Sequence, residues 1–417
     1  MNITPFLCGK KNDEFSKREL ERQKIDIEIA AVLDQLQDRP ERRAAFERLL
    51  KCVRSHTGLL KPGEGKGVAG WVSPAFLVRR LKNLSERQAQ WIRPVEEWCP
   101  DSNSLRLAFR SLAQHLLVSY PVPGFMDSAW DLGSGPEGFR QQAWYIRLGR
   151  GASLRSLDIP VPLTRRMEHF VRRAPDHYTV WQALRYGEVR GLGGSERLAR
   201  EIVIGLLGRT IQQAEFWRTV LRFFANNPEM PIGYVNPIID FIQANKFAGD
   251  EVFTGQGLEA RVPRWPDFSM DGRTLKSMLR LADAWHLELG HKKKSGSFSW
   301  HRSGIAGYQM VEKGEEHDRE WTIQELLDSD ALHADGRAMR HCVYTYADRC
   351  RRGETTIWSL RLRVEAGEKR IATIEVNPHC RAIVQVRAKC NSRPGVRSLE
   401  VLCQWATREN LQVHVEV

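Results

Sequence analysis

The sequence contains no long apolar run, and no two of its eight cysteines have Cys-x-x-Cys spacing. No stretch approaches the roughly 18 consecutive apolar residues of a membrane-spanning helix, so no membrane contact is expected. A chain of 417 residues is too large to need disulfides for its stability, and free thiols in a reducing compartment are expected. The first residues become charged too early for a secretory signal. These absences predict a cytoplasmic location.

Motifs of well-known chemistry are also missing from the sequence. It contains no phosphate-binding loop and no hydrolase motif. His341, Cys342, Cys350, His379 and Cys380 supply enough potential zinc ligands, but their spacing matches no usual structural site. Neighbouring helical residues point about 100° apart, so His341 is a poor base for the Cys342 thiol. We therefore expect no metal and no cofactor, and we expect the cysteines to pack in the interior.

Positive charge is what the chain has in excess. Its 63 lysines and arginines outnumber 51 acidic residues, which gives a formal net charge of +12 and a pI of about 9.4. This balance attracts polyanions and would make an association with nucleic acid salt-dependent. Charge alone does not identify the partner, because many basic proteins do not bind nucleic acid.

Helical periodicity dominates the first 290 residues. We predict an N-terminal helical segment at 1–57, a linker rich in glycine, proline and lysine at 58–70, and a helical domain at 71–290. The basic break HKKKSGSFSW (291–300) predicts a domain boundary, and residues 298–417 form the third predicted domain. The helical region could also hold protein partners.

Two helices are predicted after this boundary. WTIQELLDS (321–329) has the pattern of a helix, in which Thr322 and Glu325 would form a capping box. MRHCVYTYADRCRRG (339–353) is predicted to be a second helix that ends at Gly353.

Strand patterns follow these helices. Alternation with a period of two predicts strands at 356–364, 369–376 and 381–389, and a helix at 395–410 precedes a last strand at 411–417. The predicted fold class is therefore α+β. A mainly helical N-terminal and middle region is followed by a small C-terminal domain with an antiparallel or mixed sheet.

Each predicted strand has one apolar and one mainly polar face. The apolar faces should pack on the helices. The polar faces together carry Ser359, Arg361, Arg363, Thr373, Glu375, Gln385, Arg387 and Lys389. Arginine pairs with phosphate in a bidentate manner, so such a face suits phosphate-bearing ligands. An ordinary solvated sheet face is the alternative.

Five sequence blocks follow one another in the C-terminal region: WTIQELLDS (321–329), ADGRAMRHCVYTYADRCRRG (334–353), IWSLR (357–361), ATIEV (372–376) and IVQVRAKCN (383–391). In order and spacing they resemble the PcfJ-like domain of bacterial plasmids and other mobile elements, over about residues 320–410. IRLGRGASLRSLDIPVPLTRRM (146–167) and ALRYGEVRGLGGS (183–195) resemble longer members of that family more weakly.

The resemblance implies a role in a mobile element but no particular reaction. It marks as family-typical His341, Cys342, Tyr346, Gly353, Ser359, Arg361, Thr373, Glu375, Gln385, Lys389 and Asn391. Thr345 and Ala388 depart from the family, since serine and glycine are expected there. Alanine at 388 would restrict a close approach of the backbone.

The preferred hypothesis is a basic protein of a plasmid or other mobile element that binds DNA or RNA through the polar sheet face. Its candidate contacts are Ser359, Arg361, Arg363, Thr373, Gln385, Arg387, Lys389 and Asn391. One alternative is a helical protein-interaction scaffold. The other is an enzyme that acts on a nucleotide or phosphorylated substrate.

In the enzyme hypothesis His341 and Glu375 would transfer protons, and Arg361 and Arg387 would stabilise charge. Geometry separates the hypotheses. Convergence of these side chains and Gln385 in one closed pocket would favour the enzyme, whereas an open face would favour binding.

Overall fold

The computed structural model of the chain describes residues 22–413, apart from residues 24, 62–73, 101, 103, 134, 248–250, 255–256, 261, 292–297, 315–317, 340–342, 380 and 390–391. The chain divides into two compact units, Met1–Gly187 and Glu188–Val417. The division predicted from sequence, near residues 57–71 and 290–298, is a different one and stays a prediction.

The first unit is helical. Its helices include α1 (Pro40–His56), α2 (Pro74–Ser85), α3 (Leu105–Leu117), α4 (Pro136–Gly149) and α5 (Arg165–Val171), and α6 (Val180–Gly191) begins here. α1 starts with proline, whose missing N–H has no helical partner at that position in any case. It buries Phe46, Leu49 and Val53 on one face. The Thr164 side chain caps α5 by accepting a hydrogen bond from the Met167 amide at 3.2 Å.

The second unit begins with four further helices and a hairpin. The helices are α7 (Glu196–Ile204), α8 (Ala214–Asn226), α9 (Val235–Ile242) and α10 (Leu275–His291), and β1 (Glu251–Thr254) pairs with β2 (Gly257–Ala260). The prediction of a mainly helical N-terminal and middle region is confirmed. Within the described ranges, no helix is both long and apolar enough to cross a membrane.

A six-stranded sheet forms the C-terminal part of this unit. Its strands are β3 (Tyr308–Glu312), β4 (Arg319–Leu326), β5 (Thr356–Val364), β6 (Gly367–Asn377), β7 (Ala382–Arg387) and β8 (Gln412–Val413), adjacent in chain order. Neighbours are antiparallel except β7 and β8, which are parallel. The predicted α+β class with a mixed sheet is confirmed.

Three helices accompany the sheet. α11 (Ser329–Met339) and α12 (Ala347–Arg351) lie between β4 and β5 in the chain, and α13 (Val396–Arg408) lies between β7 and β8. α13 packs on the apolar sheet face, as predicted, and the ring centroids of Trp358 and Trp405 are 4.9 Å apart. Large aromatic side chains stabilise such a layer because they remove much apolar surface from water.

Residues 321–329 are not the predicted helix. Residues 319–326 form β4, which pairs with β3 and β5 along its length. Trp321 and Ile323 are buried in the core beneath α13, and the alternating burial along β4 is that of a strand. The capping-box pattern of Thr322 and Glu325 is outweighed by this packing and by two rows of strand hydrogen bonds.

The predicted helix at 339–353 is also divided. α11 ends at Met339, a short 3₁₀ turn covers Val343–Tyr346, and α12 follows, while residues 340–342 lie outside the described residues. Gly353 ends the segment as predicted, with a φ of 72° that favours glycine. Val343 and Cys350 pack with Ile357 of β5, so this segment covers the sheet face opposite α13.

Candidate functional site

Asp335 lies at the centre of the polar sheet face. It projects from α11 and is fully buried. One carboxylate oxygen accepts a hydrogen bond from the Ser359 hydroxyl at 2.8 Å, and the other accepts one from the Thr373 hydroxyl at 2.5 Å. Ser359 and Thr373 are paired residues on β5 and β6. The helix carboxylate therefore bridges the two strands, and all three side chains are buried.

Burial raises the pKa of the Asp335 carboxyl, because desolvation disfavours its charged form. The hydroxyls of Thr373 and Ser359 and the nearby guanidinium groups of Arg370 and Arg361 oppose this rise. Arg370 lies closest, with 3.2 Å between its Nε and the Asp335 Oδ1. Sequence reasoning missed Asp335, and the available signal was a carboxyl at the buried face of a helix in the block ADGRAMRHC.

Glu375 lies further along the same face of β6 and is held by two groups. Its Oε1 lies 3.3 Å from Nη1 of Arg349 and accepts a hydrogen bond from the Thr355 hydroxyl at 3.2 Å. Arg349 comes from α12 and also lies over the ring of Tyr346, 5.1 Å from its centroid. The predicted proton-transfer residue is therefore a buried carboxylate with a cationic partner.

Tyr346 contributes a hydroxyl with a strongly shifted pKa near Glu375. Burial raises the pKa of Tyr346 to about 12, and the negative charge of Glu375 adds to the rise, while Arg349 opposes it. The phenol therefore stays protonated at neutral pH, and Tyr346 can donate but not act as a phenolate base.

Arg387 is bound inside the second unit. Its guanidinium donates a hydrogen bond to the backbone carbonyl of Ile204, at the C-terminal end of α7. Burial and the positive charge of Arg209 lower the pKa of Arg387 to about 10, and the charges of Asp240 and Glu201 oppose that change. Arg387 stays charged at neutral pH and joins β7 to the helices of this unit.

The two arginines at the far end of β5 have acidic partners. Arg361 pairs with Glu368 at 3.2 Å, and Arg363 pairs with Glu320 at 3.3 Å and with Glu368 at 3.4 Å. Their charges are balanced within the sheet. Arg363 is nevertheless well exposed, whereas Arg361 is only partly so. Arg361 and Arg363 are therefore paired with acids, and the predicted role of this face in binding stays a prediction.

Of the remaining predicted residues, the structure describes Gln385 and Lys389 but not His341 and Asn391. Gln385 is partly buried and pairs with Glu375 across β6 and β7, and Lys389 is exposed beyond the end of β7. His341 and Asn391 lie outside the described residues, as does Cys342. The structure thus brings Ser359, Thr373 and Asp335 together, and it places Arg363 and Lys389 in exposed positions. The predicted binding and catalytic roles of these residues stay predictions.

Cys350 of α12 is a packing residue, as expected. It is buried with Val343 and Ile357. Burial raises the pKa of the Cys350 thiol to about 12, so the reactive thiolate is essentially absent at neutral pH.

A second charged region lies in the first unit, at residues 147–173, and we call its exposed arginines the arginine surface. Residues 147–173 carry seven arginines but only two acidic residues, Asp158 and Glu168. All seven are exposed: Arg147, Arg150, Arg155, Arg165, Arg166, Arg172 and Arg173. On α5 and its C-terminal end, a spacing of seven residues puts Arg165 with Arg172, and Arg166 with Arg173, on the same side of the helix.

Contacts join several of these arginines into one region. Glu168 lies 2.8 Å from Arg155 and 3.1 Å from Arg172, and these contacts lower its pKa against the effect of burial. Arg147 donates to the carbonyl of Ser156 at 2.8 Å. For Arg165, Arg166 and Arg173 the described part of the chain provides no ion pair. The arginine surface therefore has a net positive charge that its own acids do not neutralise.

The geometry of the second unit defines a small α+β domain in which α11 and α13 cover opposite faces of a mixed sheet. Residues 302–400 match the family model described as PcfJ-like protein, which confirms the predicted resemblance over this part of the chain. The weaker resemblance at 146–195 lies outside this match and stays a prediction. No curated protein and no solved structure matches the chain.

Proposed function

We propose that the chain is a nucleic-acid-binding protein of a plasmid or other mobile element. One observation carries the proposal: seven exposed arginines against two acids in residues 147–173 of the first unit. Exposed arginines are the usual contacts to the phosphate backbone, and they supply most of the affinity that is independent of sequence. The net charge of +12 favours the same partner at longer range.

The proposed contact surface differs from the polar sheet face predicted from sequence. Ser359 and Thr373 donate their hydroxyls to Asp335, and Arg387 donates to a backbone carbonyl. Using these groups for phosphate would break buried hydrogen bonds, at a cost of about 1–3 kcal/mol for each group left unsatisfied. Arg363 and Lys389 are exposed, and we propose them as secondary contacts only.

A binding series with the full chain tests this function. DNA and RNA fragments are titrated with the protein, and fluorescence anisotropy is read at rising salt concentration. We expect tight binding at low salt and a linear fall of log Kobs against log salt concentration, because bound arginines release counterions. Absence of binding to both nucleic acids at about 50 mM salt would overturn the proposal.

The enzyme and the scaffold are the two other candidates. An enzyme would need Glu375 to exchange a proton, yet its carboxylate is held by Arg349 and Thr355. A scaffold would bind protein partners through the helical region, and deletion of residues 320–417 would leave that binding intact. No contact in the described residues favours either candidate over nucleic-acid binding.

A further inference from the structure

A groove within the first unit contains an exposed aromatic ring beside the arginine surface. The groove has a volume of about 500 Å³ and is lined by Tyr120, Pro121, Leu148, Arg150, Gly151, Ala152 and Arg172. The groove is open to solvent rather than enclosed. Tyr120 is 59% exposed, whereas Tyr145 and Tyr178 of the same unit are buried.

The backbone around Tyr120 is fixed. The amides of Ser119 and Tyr120 both donate to the carbonyl of Gly149, at 2.8 and 2.9 Å, which anchors this segment to the C-terminal end of α4. Gly151 has a φ of 92°, a conformation that favours glycine. A β-carbon there would lie 3.2 Å from Cδ2 and Cε2 of the Tyr120 ring. The ring therefore lies directly against the Gly151 backbone, where a side chain would crowd it.

Two charged side chains, Arg150 and Arg172, line the groove together with Tyr120. Arg150 donates to the backbone carbonyl of Gln90 at 3.0 Å, and Arg172 is paired with Glu168. Both contacts leave further guanidinium N–H groups for an anion, since arginine has five donors. An exposed ring with arginines beside it matches the sites in which bases stack on aromatic side chains while cations hold the backbone.

We infer that the Tyr120 groove binds an unpaired base of single-stranded nucleic acid, with Arg150 and Arg172 on the flanking phosphates. The inference rests on the proposed function and specifies its substrate class. A base in a duplex is stacked and paired, so its faces are not available to a protein ring. An unpaired base offers a free π-face to Tyr120, whatever its sequence.

Three probes of equal length distinguish binding to a base from binding to the phosphates. They are an oligothymidine strand, an abasic deoxyribose-phosphate strand, and a DNA duplex, each titrated against the full chain at one salt concentration. We expect the oligothymidine strand to bind about fivefold or more tighter than the abasic strand, the ratio that one stacked base contributes.

The variant Tyr120→Ala should lower the affinity for oligothymidine to that of the abasic strand and leave the other two affinities unchanged. Tyr120→Phe retains the ring and should bind as the unaltered chain does. Ultraviolet cross-linking of oligothymidine should modify Tyr120, as located by mass spectrometry. Because Tyr120 is exposed, thermal unfolding should be nearly the same in all three proteins.

Equal loss for all three probes in Tyr120→Ala, or no loss for oligothymidine, would overturn the inference. In both cases nucleic-acid binding itself would survive. Failure of every probe to bind at low salt would overturn the proposed function and this inference with it. Failure of every probe to bind is the result expected if the groove instead binds an anionic protein partner.

Discussion

The carboxylate of Asp335 on α11 accepts a hydrogen bond of 2.8 Å from the hydroxyl of Ser359 on β5, and both side chains are fully buried. This contact fixes the helix over the polar residues of the sheet. Polar groups of the strands are satisfied by a carboxylate of the same chain and need no external ligand there.

The first prediction concerns the strength of this contact. Asp335→Ala would leave the hydroxyls of Ser359 and Thr373 without their acceptor in a buried position. We expect the free energy of unfolding to fall by about 2–4 kcal/mol. Urea unfolding, monitored by circular dichroism, measures this free energy. Asp330→Ala removes an exposed carboxylate from the same helix and should cost under about 1 kcal/mol. Equal losses in the two variants would contradict the account.

The second prediction is a pH dependence. The fold raises the pKa of Asp335, so the folded state holds this proton more tightly than the unfolded state. Its contribution to stability is complete below the unfolded pKa of about 4 and is lost as the pH rises through the folded pKa. The stability of the unaltered chain minus that of Asp335→Asn should therefore decrease as the pH rises above about 4. Urea unfolding at several pH values measures this difference, and an increase would contradict the stated direction.

The third prediction distinguishes a packing cysteine from a reactive one. Cys350 is buried and its pKa is raised to about 12, whereas Cys99 is exposed. Iodoacetamide should therefore alkylate Cys99 long before Cys350 in the folded chain at about pH 8. Mass spectrometry of the digested protein measures both rates. In concentrated urea the two rates should become similar, and fast labelling of Cys350 without urea would argue for a reactive thiol.

The fourth prediction tests the role of Arg387. Arg387→Ala removes the donor to the partly buried Ile204 carbonyl, so we expect a loss of about 1–3 kcal/mol in stability. The affinity for nucleic acid and its salt dependence should not change. Arg363→Ala removes an exposed arginine of the same sheet and should alter stability by under about 1 kcal/mol. If Arg387→Ala has normal stability but binds nucleic acid more weakly, the sheet face is the contact surface after all.

The local sequence pattern was sufficient to predict the strands β5, β6 and β7. Trp358, Leu360 and Ile374 alternate with polar residues, and the strands pair and pack on α13 as that alternation predicts. The local pattern was insufficient to predict β4, because its glutamine, glutamate and leucine residues favour a helix. Burial of Trp321 and pairing with two neighbouring strands decide in favour of a strand, and both depend on residues far away in the chain.

The site was harder to predict because a polar sheet face looks the same in sequence whether solvent or a helix covers it. Asp335 lies 24 residues before Ser359 and 38 before Thr373, and no local period connects them. The seven arginines of residues 147–173 can be read from the sequence, but no prediction was based on them. Their exposure, and the position of Tyr120 beside them, depend on how α4 and α5 fold.

The most direct test of nucleic-acid binding by the arginine surface is the salt dependence of two double variants. Arg165→Ala with Arg166→Ala removes two arginines of this surface. Arg222→Ala with Arg280→Ala removes two exposed arginines of the second unit and the same net charge. If the arginine surface binds nucleic acid, the slope of log Kobs against log salt concentration flattens by roughly one to two units in the first pair and is unchanged in the second. Equal slopes in both pairs would show that this surface is not the contact.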